Sequence, residues 1–268
     1  MSELDRLVKL MARLRGPDGC PWDREQTHQS LKPYLIEETY EALDAIDRED
    51  DDGLCDELGD VLLQIVFHAQ LAREESRFTL EDVAAATSEK LIRRHPHVFG
   101  SATANTPGQV VENWEAIKSR ERRERGLSPS ILDGIPGQLP SLLKARRVQE
   151  RAARSGFDWE DSGEVEDKVR EEVDEFLEAW RDADNRGVEE EFGDLLFSLV
   201  NLARFLKVCP EESLRKTVGK FEYRFRFIEQ ELGRQGKNPQ NASMEEMDRL
   251  WEASKKHQSK NASADRDS

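Results

Sequence analysis

Apolar residues recur along the chain at the three- and four-residue spacing of amphipathic helices, and the alternation that indicates a half-buried strand is absent. Proline falls at or near several predicted helix starts, where its missing N–H is tolerated, as at Pro33, Pro107, Pro140 and Pro210. The pattern therefore predicts an all-α fold. The predicted helices cover about residues 3–15, 32–48, 54–75, 79–94 and 107–125 in the first half, and about 140–154, 163–183, 187–207, 210–233 and 243–257 in the second half.

Two parts of the chain are similar to each other, which indicates a tandem duplication. EETYEALDAI at 37–46 corresponds to EEVDEFLEAW at 171–180, and DELGDVLLQIV at 56–66 corresponds to EEFGDLLFSLV at 190–200, in both cases 134 positions apart. We therefore predict two helical-bundle units of the same kind. Looser similarity downstream pairs Lys90 with Lys220, Arg94 with Arg224 and Trp114 with Trp251.

The segment between the two copies reads SRERRERGLSPSILDGIPGQLPS, and its second part is rich in Gly, Pro and Ser. That composition is typical of a linker. The end of the chain has no apolar residue larger than Ala, which is typical of a disordered tail. These features predict an N-terminal unit at 1–118, a linker at 119–139, a C-terminal unit at 140–257 and a disordered tail at 258–268.

Charge and hydropathy exclude some classes of partner. The formal net charge of −16 repels a nucleic acid polymer, because such binding requires Lys and Arg at many phosphates. No apolar run approaches the roughly 18 residues of a membrane span, and the N-terminus lacks the apolar segment of a signal peptide. We expect a soluble, cytoplasmic protein with neither a nucleic acid polymer nor a membrane as its partner.

Each copy of the repeat carries four carboxylates in the same register. Residues three apart on a helix point nearly the same way, so each copy places one carboxylate pair on each of two neighbouring helices. Four facing carboxylates repel strongly unless a cation lies between them, and an all-oxygen ligand set suits a hard divalent ion, Mg2+ above all. The candidate ligands are Glu38, Glu41, Glu57 and Asp60, called here the first tetrad, and Glu172, Glu175, Glu191 and Asp194, the second tetrad.

Acidic runs are also common as solvated helix faces, and two observations favour a site instead. Gly59 and Gly193 interrupt predicted helices at the same point of both copies, where Gly costs about 1 kcal/mol relative to Ala, and this predicts close approach of a neighbouring backbone. The carboxylates also keep their register while the residues around them differ between the copies. An iron-carboxylate bundle would show Glu-x-x-His at these elements, which here are Glu-x-x-Glu and Glu-x-x-Asp, so redox iron chemistry is not expected.

Cations four residues apart on one helix face accompany each tetrad along the chain, as Lys90 with Arg94 and Lys220 with Arg224. The ammonium and the guanidinium both suit phosphate oxygens. Either pair alone is equally typical of an ordinary basic surface. Trp251 is a candidate for stacking on a nucleobase, although a helical Trp lies more often in a core or an interface.

Together these residues resemble the MazG family of nucleoside triphosphate pyrophosphohydrolases. The resemblance rests on EETYE followed by ELGD, on EEVDE followed by EFGD, and on GCPWD and RRHPHVF, and it covers about residues 3–255. It implies an all-α fold whose paired helices associate with a second subunit. It also implies Mg2+-dependent hydrolysis of nucleoside triphosphates between the α and β phosphates, which yields a nucleoside monophosphate and pyrophosphate.

The resemblance further implies roles for residues of the second half, which is the usual active unit in two-domain relatives. A carboxylate would orient the attacking water or take its proton, and the sequence leaves the choice between Glu171 and Glu175 open. The first tetrad is then a second possible metal site. The implied metal ligands are Glu172, Glu175, Glu191 and Asp194, and the implied nucleotide contacts are Lys168, Glu171, Glu172, Glu190, Glu191, Lys220, Arg224 and Trp251.

Two other functions remain open from the sequence. One is a related all-α pyrophosphohydrolase with a different nucleotide, such as a dUTPase-like enzyme or a phosphoribosyl-ATP hydrolase. The other is a non-catalytic helical adaptor that a metal stabilises. A homodimer is also predicted, because the apolar faces that contain Leu62, Ile65, Leu196 and Leu199 need partners.

Overall fold

The structure is a computed structural model that describes residues 2–124, 126 and 130–264. The described residues form α-helices and one short 3-10 turn, without a β-strand, which confirms the all-α prediction. The chain divides into two compact units, Met1–Arg125 and Gly126–Ser268. None of the described helices combines the length and the apolar character that crossing a membrane requires.

The first unit is built around a pair of helices, α3 and α4, that carry the first tetrad. A tight turn joins them, and Glu49 within it has a left-handed backbone (φ 54°). Helices α1 and α5 pack against α4, and α6 and α7 pack against α5. The helices of this unit are α1 Glu3–Leu14, α2 Pro21–Glu25, α3 Lys32–Asp47, α4 Asp51–Glu74, α5 Leu80–Arg94, α6 Pro96–Phe99 and α7 Pro107–Glu124.

The second unit repeats this helix pair as α9 and α10. The turn between them contains Ala183 with φ 55°, which is 134 positions after Glu49 and has the same left-handed backbone. Helix α8 packs against α10 and α11, and α12 packs against α11. The helices of this unit are α8 Ser141–Arg154, α9 Ser162–Arg181, α10 Asn185–Phe205, α11 Pro210–Arg234 and α12 Met244–Ala264, with a 3-10 turn at Pro239–Asn241.

The buried core of the first unit lies between α1 and α4. Phe67 is 3% exposed, and the guanidinium of Arg15 lies 5.5 Å from the centre of its ring. Arg15 also forms an ion pair with Glu74 at 2.7 Å, which holds this cation over the core. The core cluster consists of Met11, Leu31, Val66, Phe67 and Leu71, with Leu7, Val8, Leu63 and Leu80 packed against it.

The helix ends can be compared with the sequence prediction at α7 and α12. Helix α7, Pro107–Glu124, matches the helix predicted at about 107–125, which overlaps the start of the linker assigned to 119–139. Helix α12 continues to Ala264, seven residues into the segment at 258–268 that the sequence predicted to be disordered. Residues with good helix propensity, such as Ala262 and Ala264, continue the helix although the segment has no large apolar side chain. The polar composition of the segment therefore did not mark the end of the helix. Residues 125, 127–129 and 265–268 of these predicted segments lie outside the described residues.

Candidate active site

The second tetrad is assembled by the α9–α10 pair. Carboxylate oxygens of Glu172, Glu175 and Glu191 lie within 4.8 Å of one another, and Glu172 is only 6% exposed. Desolvation raises the pKa of the Glu191 carboxyl, and the charges of Glu175, Glu172 and Asp194 raise it further. All four carboxylates therefore share one electrostatic environment, as the repeat register predicted.

Lys168 holds two carboxylates of α9 in place. Its Nζ donates to Glu171 Oε1 at 2.8 Å and lies 2.9 Å from Glu172 Oε1. These hydrogen bonds raise the pKa of Lys168, so the side chain stays positive beside the tetrad. Glu190, the neighbour of Glu191 on α10, is exposed, and its charge contributes to the raised pKa of Glu191. The structure thus brings Lys168, Glu171 and Glu190 to the second tetrad.

The other residues that the resemblance implied form a separate group on α11 and α12. The guanidinium of Arg224 lies 5.3 Å from the ring centre of Trp251, and the ring of Phe221 lies 5.4 Å from that of Trp251. Lys220 is exposed one turn before Arg224. Among the described residues, no hydrogen bond or ion pair joins this group to the second tetrad.

The first tetrad has the same local geometry. Carboxylate oxygens of Glu38, Glu41 and Glu57 lie within 4.8 Å of one another. Desolvation raises the pKa of Glu38, followed by the charges of Asp60 and Glu41. Desolvation likewise raises the pKa of Glu57, followed by the charges of Glu41 and Asp60. The carboxylates alone therefore do not distinguish the two units.

A cavity beside the second tetrad distinguishes them. We call it the α8–α10 cavity; its volume is about 310 Å³, and its lining includes Lys168, Glu172 and Asp194. This volume lies at the lower end of the range of about 300–1,000 Å³ for small-molecule sites. The remaining wall is partly aromatic and partly amide, and it includes Gln149, Phe157, Trp159, Phe197 and Asn201.

An ion pair fixes the aromatic wall of the α8–α10 cavity. Arg204 on α10 donates to both carboxylate oxygens of Asp158, with Nη1 2.9 Å from Oδ2. These hydrogen bonds lower the pKa of Asp158. Because Asp158 lies between Phe157 and Trp159, the pair ties the loop that carries both rings to α10. A bidentate pair gives this loop a defined geometry.

The first unit has a core residue at the position that corresponds to Asn201. At the repeat offset of 134, Asn201 corresponds to Phe67, and Arg204 corresponds to Gln70. Phe67 is buried under Arg15, as described above. Two cavities of the first unit, of about 490 and 370 Å³, are lined by none of the four carboxylates of the first tetrad in the part of the chain that the structure describes.

Sequence reasoning missed the residues of the α8–α10 cavity. The sequence feature that could have found them is the difference between Phe67 and Asn201, which occupy the same position in the two copies of the repeat. A polar residue at a core position needs a polar partner, so Asn201 indicates a polar environment in the second copy. The close backbone approach predicted at Gly59 and Gly193 was wrong within the single chain. A Cβ added at either glycine would meet no heavy atom within 4 Å among the described residues, because both positions lie on exposed parts of α4 and α10.

The fold and the site define a duplicated all-α protein with a carboxylate tetrad in each unit and an open cavity beside the second tetrad. The MazG nucleotide pyrophosphohydrolase domain matches the chain twice, at residues 26–99 and 163–226. The chain belongs to this family, which confirms the resemblance inferred from its motifs.

Relatives are similar over nearly the whole chain. The nucleoside triphosphate pyrophosphohydrolase/pyrophosphatase MazG of Thermotoga maritima is 51% identical over 94% of this chain and 95% of its own length. The nucleoside triphosphate pyrophosphohydrolase of Escherichia coli strain K12 is 48% identical over 96% of this chain and 99% of its own length. The similarity therefore includes both units and the segment between them.

Proposed function

We propose that this protein hydrolyses nucleoside triphosphates between the α and β phosphates in a Mg2+-dependent reaction and releases a nucleoside monophosphate and pyrophosphate. Family membership and the names of the two relatives support the reaction class. We assign the chemistry to the second unit. The substrate class also favours a cytoplasmic location.

The observation that carries the assignment is the α8–α10 cavity. It provides space for a ligand in contact with two carboxylates of the second tetrad, Glu172 and Asp194. In the first unit, the position that corresponds to Asn201 is occupied by the core residue Phe67. The two cavities described in the first unit do not adjoin the first tetrad, so they do not offer the same arrangement of metal site and ligand space.

The second tetrad fits a hard divalent cation. Its donors are all carboxylate oxygens, and three of the four side chains place an oxygen within 4.8 Å of one another. Desolvation, followed by the charges of the neighbouring carboxylates, raises the pKa of Glu191. Glu172, Glu175, Glu191 and Asp194 would hold Mg2+. When bound, this ion neutralises phosphate charge and acidifies water.

The side chains around the tetrad supply orientation and proton transfer. Lys168 fixes Glu171 and Glu172 through its two short contacts, which keeps the α9 carboxylates in a defined arrangement. The water nucleophile must lose a proton to a nearby base. Glu171 and Glu175 are the candidates for this role. Glu171 is paired with Lys168, and Glu175 is also one of the four carboxylates that would hold Mg2+.

The group on α11 and α12 supplies positive charge for phosphate oxygens. Arg224 is half-buried against Trp251, and Lys220 is exposed, so both cations are accessible to an anionic ligand. We assign Lys220, Arg224 and Trp251 to nucleotide contacts on the basis of the family resemblance.

We also propose a homodimer. Apolar side chains on the helix pairs are strongly exposed in the single chain, with Leu62 38% and Ile65 40% exposed on α4, and Leu196 39% and Leu199 43% exposed on α10. Such faces are commonly buried between subunits. The open space around Gly59 and Gly193, on the same two helices, leaves room for a partner helix.

Product analysis with a panel of nucleotides tests the proposal. The panel contains the common NTPs and dNTPs, with dUTP and phosphoribosyl-ATP, each incubated with Mg2+ and, as a control, with chelator. Pyrophosphate plus a nucleoside monophosphate, only with metal, is expected from NTPs. Orthophosphate plus a diphosphate contradicts the assigned bond, turnover of dUTP or phosphoribosyl-ATP alone supports a related enzyme, and no turnover supports the adaptor.

A further inference from the structure

We infer that the first unit contains a pH-sensitive latch, in which Arg77, His28 and His68 hold the loop before α3 against α4 only while both histidines are neutral. The loop comprises residues 26–31 and leads into α3, which carries half of the first tetrad. The inference is independent of the proposed reaction, because it concerns the conformation of the first unit and not the chemistry assigned to the second.

The two imidazole rings of the latch meet edge to edge. Nδ1 of His28 lies 2.7 Å from Nδ1 of His68, the ring planes are within 3° of parallel, and the ring centres are 5.0 Å apart. The separation of the centres equals the nitrogen–nitrogen distance plus the radius of each ring, so the rings lie side by side and not one above the other. Two nitrogens at this distance share one proton, because two lone pairs or two N–H groups would repel each other.

Arg77 determines which histidine donates that proton. Its Nη2 lies 2.5 Å from Nε2 of His28, and a guanidinium only donates, so this Nε2 must accept. Neutral His28 therefore carries its proton on Nδ1 and donates it to His68. His68 accepts at Nδ1 and carries its own proton on Nε2. The chain of hydrogen bonds thus runs from Arg77 to His28 to His68 and assigns one tautomer to each ring.

A second proton on either ring breaks one bond of the latch. A proton on Nε2 of His28 would face the guanidinium of Arg77, and a proton on Nδ1 of His68 would face the N–H of His28. Either proton also adds positive charge next to Arg77. Desolvation lowers the pKa of His68, and the charge of His28 lowers it further, in agreement with a ring that is neutral when the latch is closed.

The acidic residues around the latch are already paired with arginines. His28 borders a cavity of about 370 Å³ whose charged wall residues are Arg15, Glu74 and Glu75. Arg15, at the end of α1, forms an ion pair with Glu74 at 2.7 Å. Arg77, between α4 and α5, forms an ion pair with Glu75 at 2.6 Å. Each carboxylate therefore has a cationic partner before either histidine is protonated.

The second unit has neither histidine at the corresponding positions. At the repeat offset of 134, Ser162 stands for His28 and Leu202 stands for His68. Acid should therefore loosen the loop of the first unit selectively. Histidine in an unfolded chain takes up its proton near a pH of about 6.5, so the stabilisation by the latch is complete above that pH and is lost as pH falls below it.

Hydrogen exchange of the whole protein, followed by mass spectrometry at about pH 7.5 and about pH 5.5, measures the opening of the latch. After correction for the intrinsic pH dependence of exchange, protection of residues 26–31 should fall about tenfold or more at the lower pH. Residues 157–161, in the loop before α9, should change by less than about threefold. His68→Phe should leave residues 26–31 equally unprotected at both pH values. The control His257→Phe removes a histidine that contacts Tyr223 in the second unit and should retain the pH effect.

Nitrogen-15 NMR of the histidine side chains tests the tautomers directly and decides the matter if His68→Phe fails to fold by circular dichroism. At the higher pH, His28 should carry its proton on Nδ1 and His68 on Nε2, and Arg77→Met should mix the tautomers of both rings. An Nε2–H tautomer on both rings of the wild type would overturn the inference. Protection of residues 26–31 that is independent of pH would also overturn it, and so would a pH effect that persists in folded His68→Phe.

Discussion

Phe67→Ala should destabilise the first unit strongly, because the ring of Phe67 belongs to the core of that unit. The corresponding residue of the second unit, Asn201, lines a cavity instead. Phe67 is 3% exposed and packs with Met11, Val66 and Leu71. Removing a fully buried Phe side chain costs about 3–5 kcal/mol, which combines the lost burial with the cavity left behind. Arg15 lies over the ring and adds to the expected loss, since its guanidinium would then border a void.

Thermal unfolding measures this loss. For a unit of the size of Met1–Arg125, about 3 kcal/mol corresponds to a fall in Tm of roughly 10–15 °C. The matched variant Asn201→Ala removes one hydrogen bond to Arg204 and should cost only about 1 kcal/mol in the second unit. Pyrophosphate release by folded Phe67→Ala protein below its Tm should equal that of the wild type. Equal destabilisation by the two variants would refute the view that the two regions are packed differently.

Three further predictions concern the second tetrad, its supporting lysine and the assembly. Mg2+ should raise Tm at about pH 7, because desolvation, followed by the charges of neighbouring carboxylates, raises the pKa of Glu191 in the folded protein. A raised folded pKa means that the protein loses stability as pH rises through that value, and bound metal offsets this loss. The gain in Tm from metal should therefore shrink at about pH 5, and a pH-independent gain would contradict this. Lys168→Met should lower kcat/KM by about tenfold or more, because it removes the ion pairs that hold Glu171 and Glu172. The control Arg170→Met removes only the exposed ion pair with Glu166 and should have little effect. Equal effects of the two changes on kcat/KM would contradict the role of Lys168. Leu196→Glu should yield a monomer by light scattering while the wild type is a dimer, and a wild-type monomer at micromolar concentration would exclude the proposed interface.

The sequence predicted the helices and the tetrads because both depend on local spacing. Glu172 and Glu175 lie three apart on one helix, and the fixed offset of 134 places the same pattern at Glu38 and Glu41. The turn between the paired helices kept its backbone as well as its length, as shown by the left-handed residues Glu49 and Ala183. Such features are local, so a single sequence contains enough information to predict them.

The cavity could not be predicted in the same way, because its wall comes from four separated segments: α8, the loop that follows it, α9 and α10. Gln149 on α8, Trp159 in the loop and Asn201 on α10 meet only after the helices pack. The same limit explains the error at Gly59 and Gly193, where a cost in helix propensity was attributed to contacts inside the chain. The low helix propensity of Gly shows that these two residues are unusual inside a helix. Only the packing of the folded protein shows whether a neighbouring residue requires Gly there.

Matched double substitutions in the two tetrads test most directly whether the second unit performs the chemistry. Glu175→Gln with Asp194→Asn, and Glu41→Gln with Asp60→Asn, each remove two charges while preserving side-chain shape, and circular dichroism checks that both proteins fold. The change in the second tetrad should reduce Mg2+-dependent pyrophosphate release by roughly a hundredfold or more, because the metal contributes several kcal/mol to the transition state. The change in the first tetrad should reduce it by no more than about threefold. Equal partial losses would show that both units turn over, and a collapse confined to the first-tetrad variant would reverse the assignment.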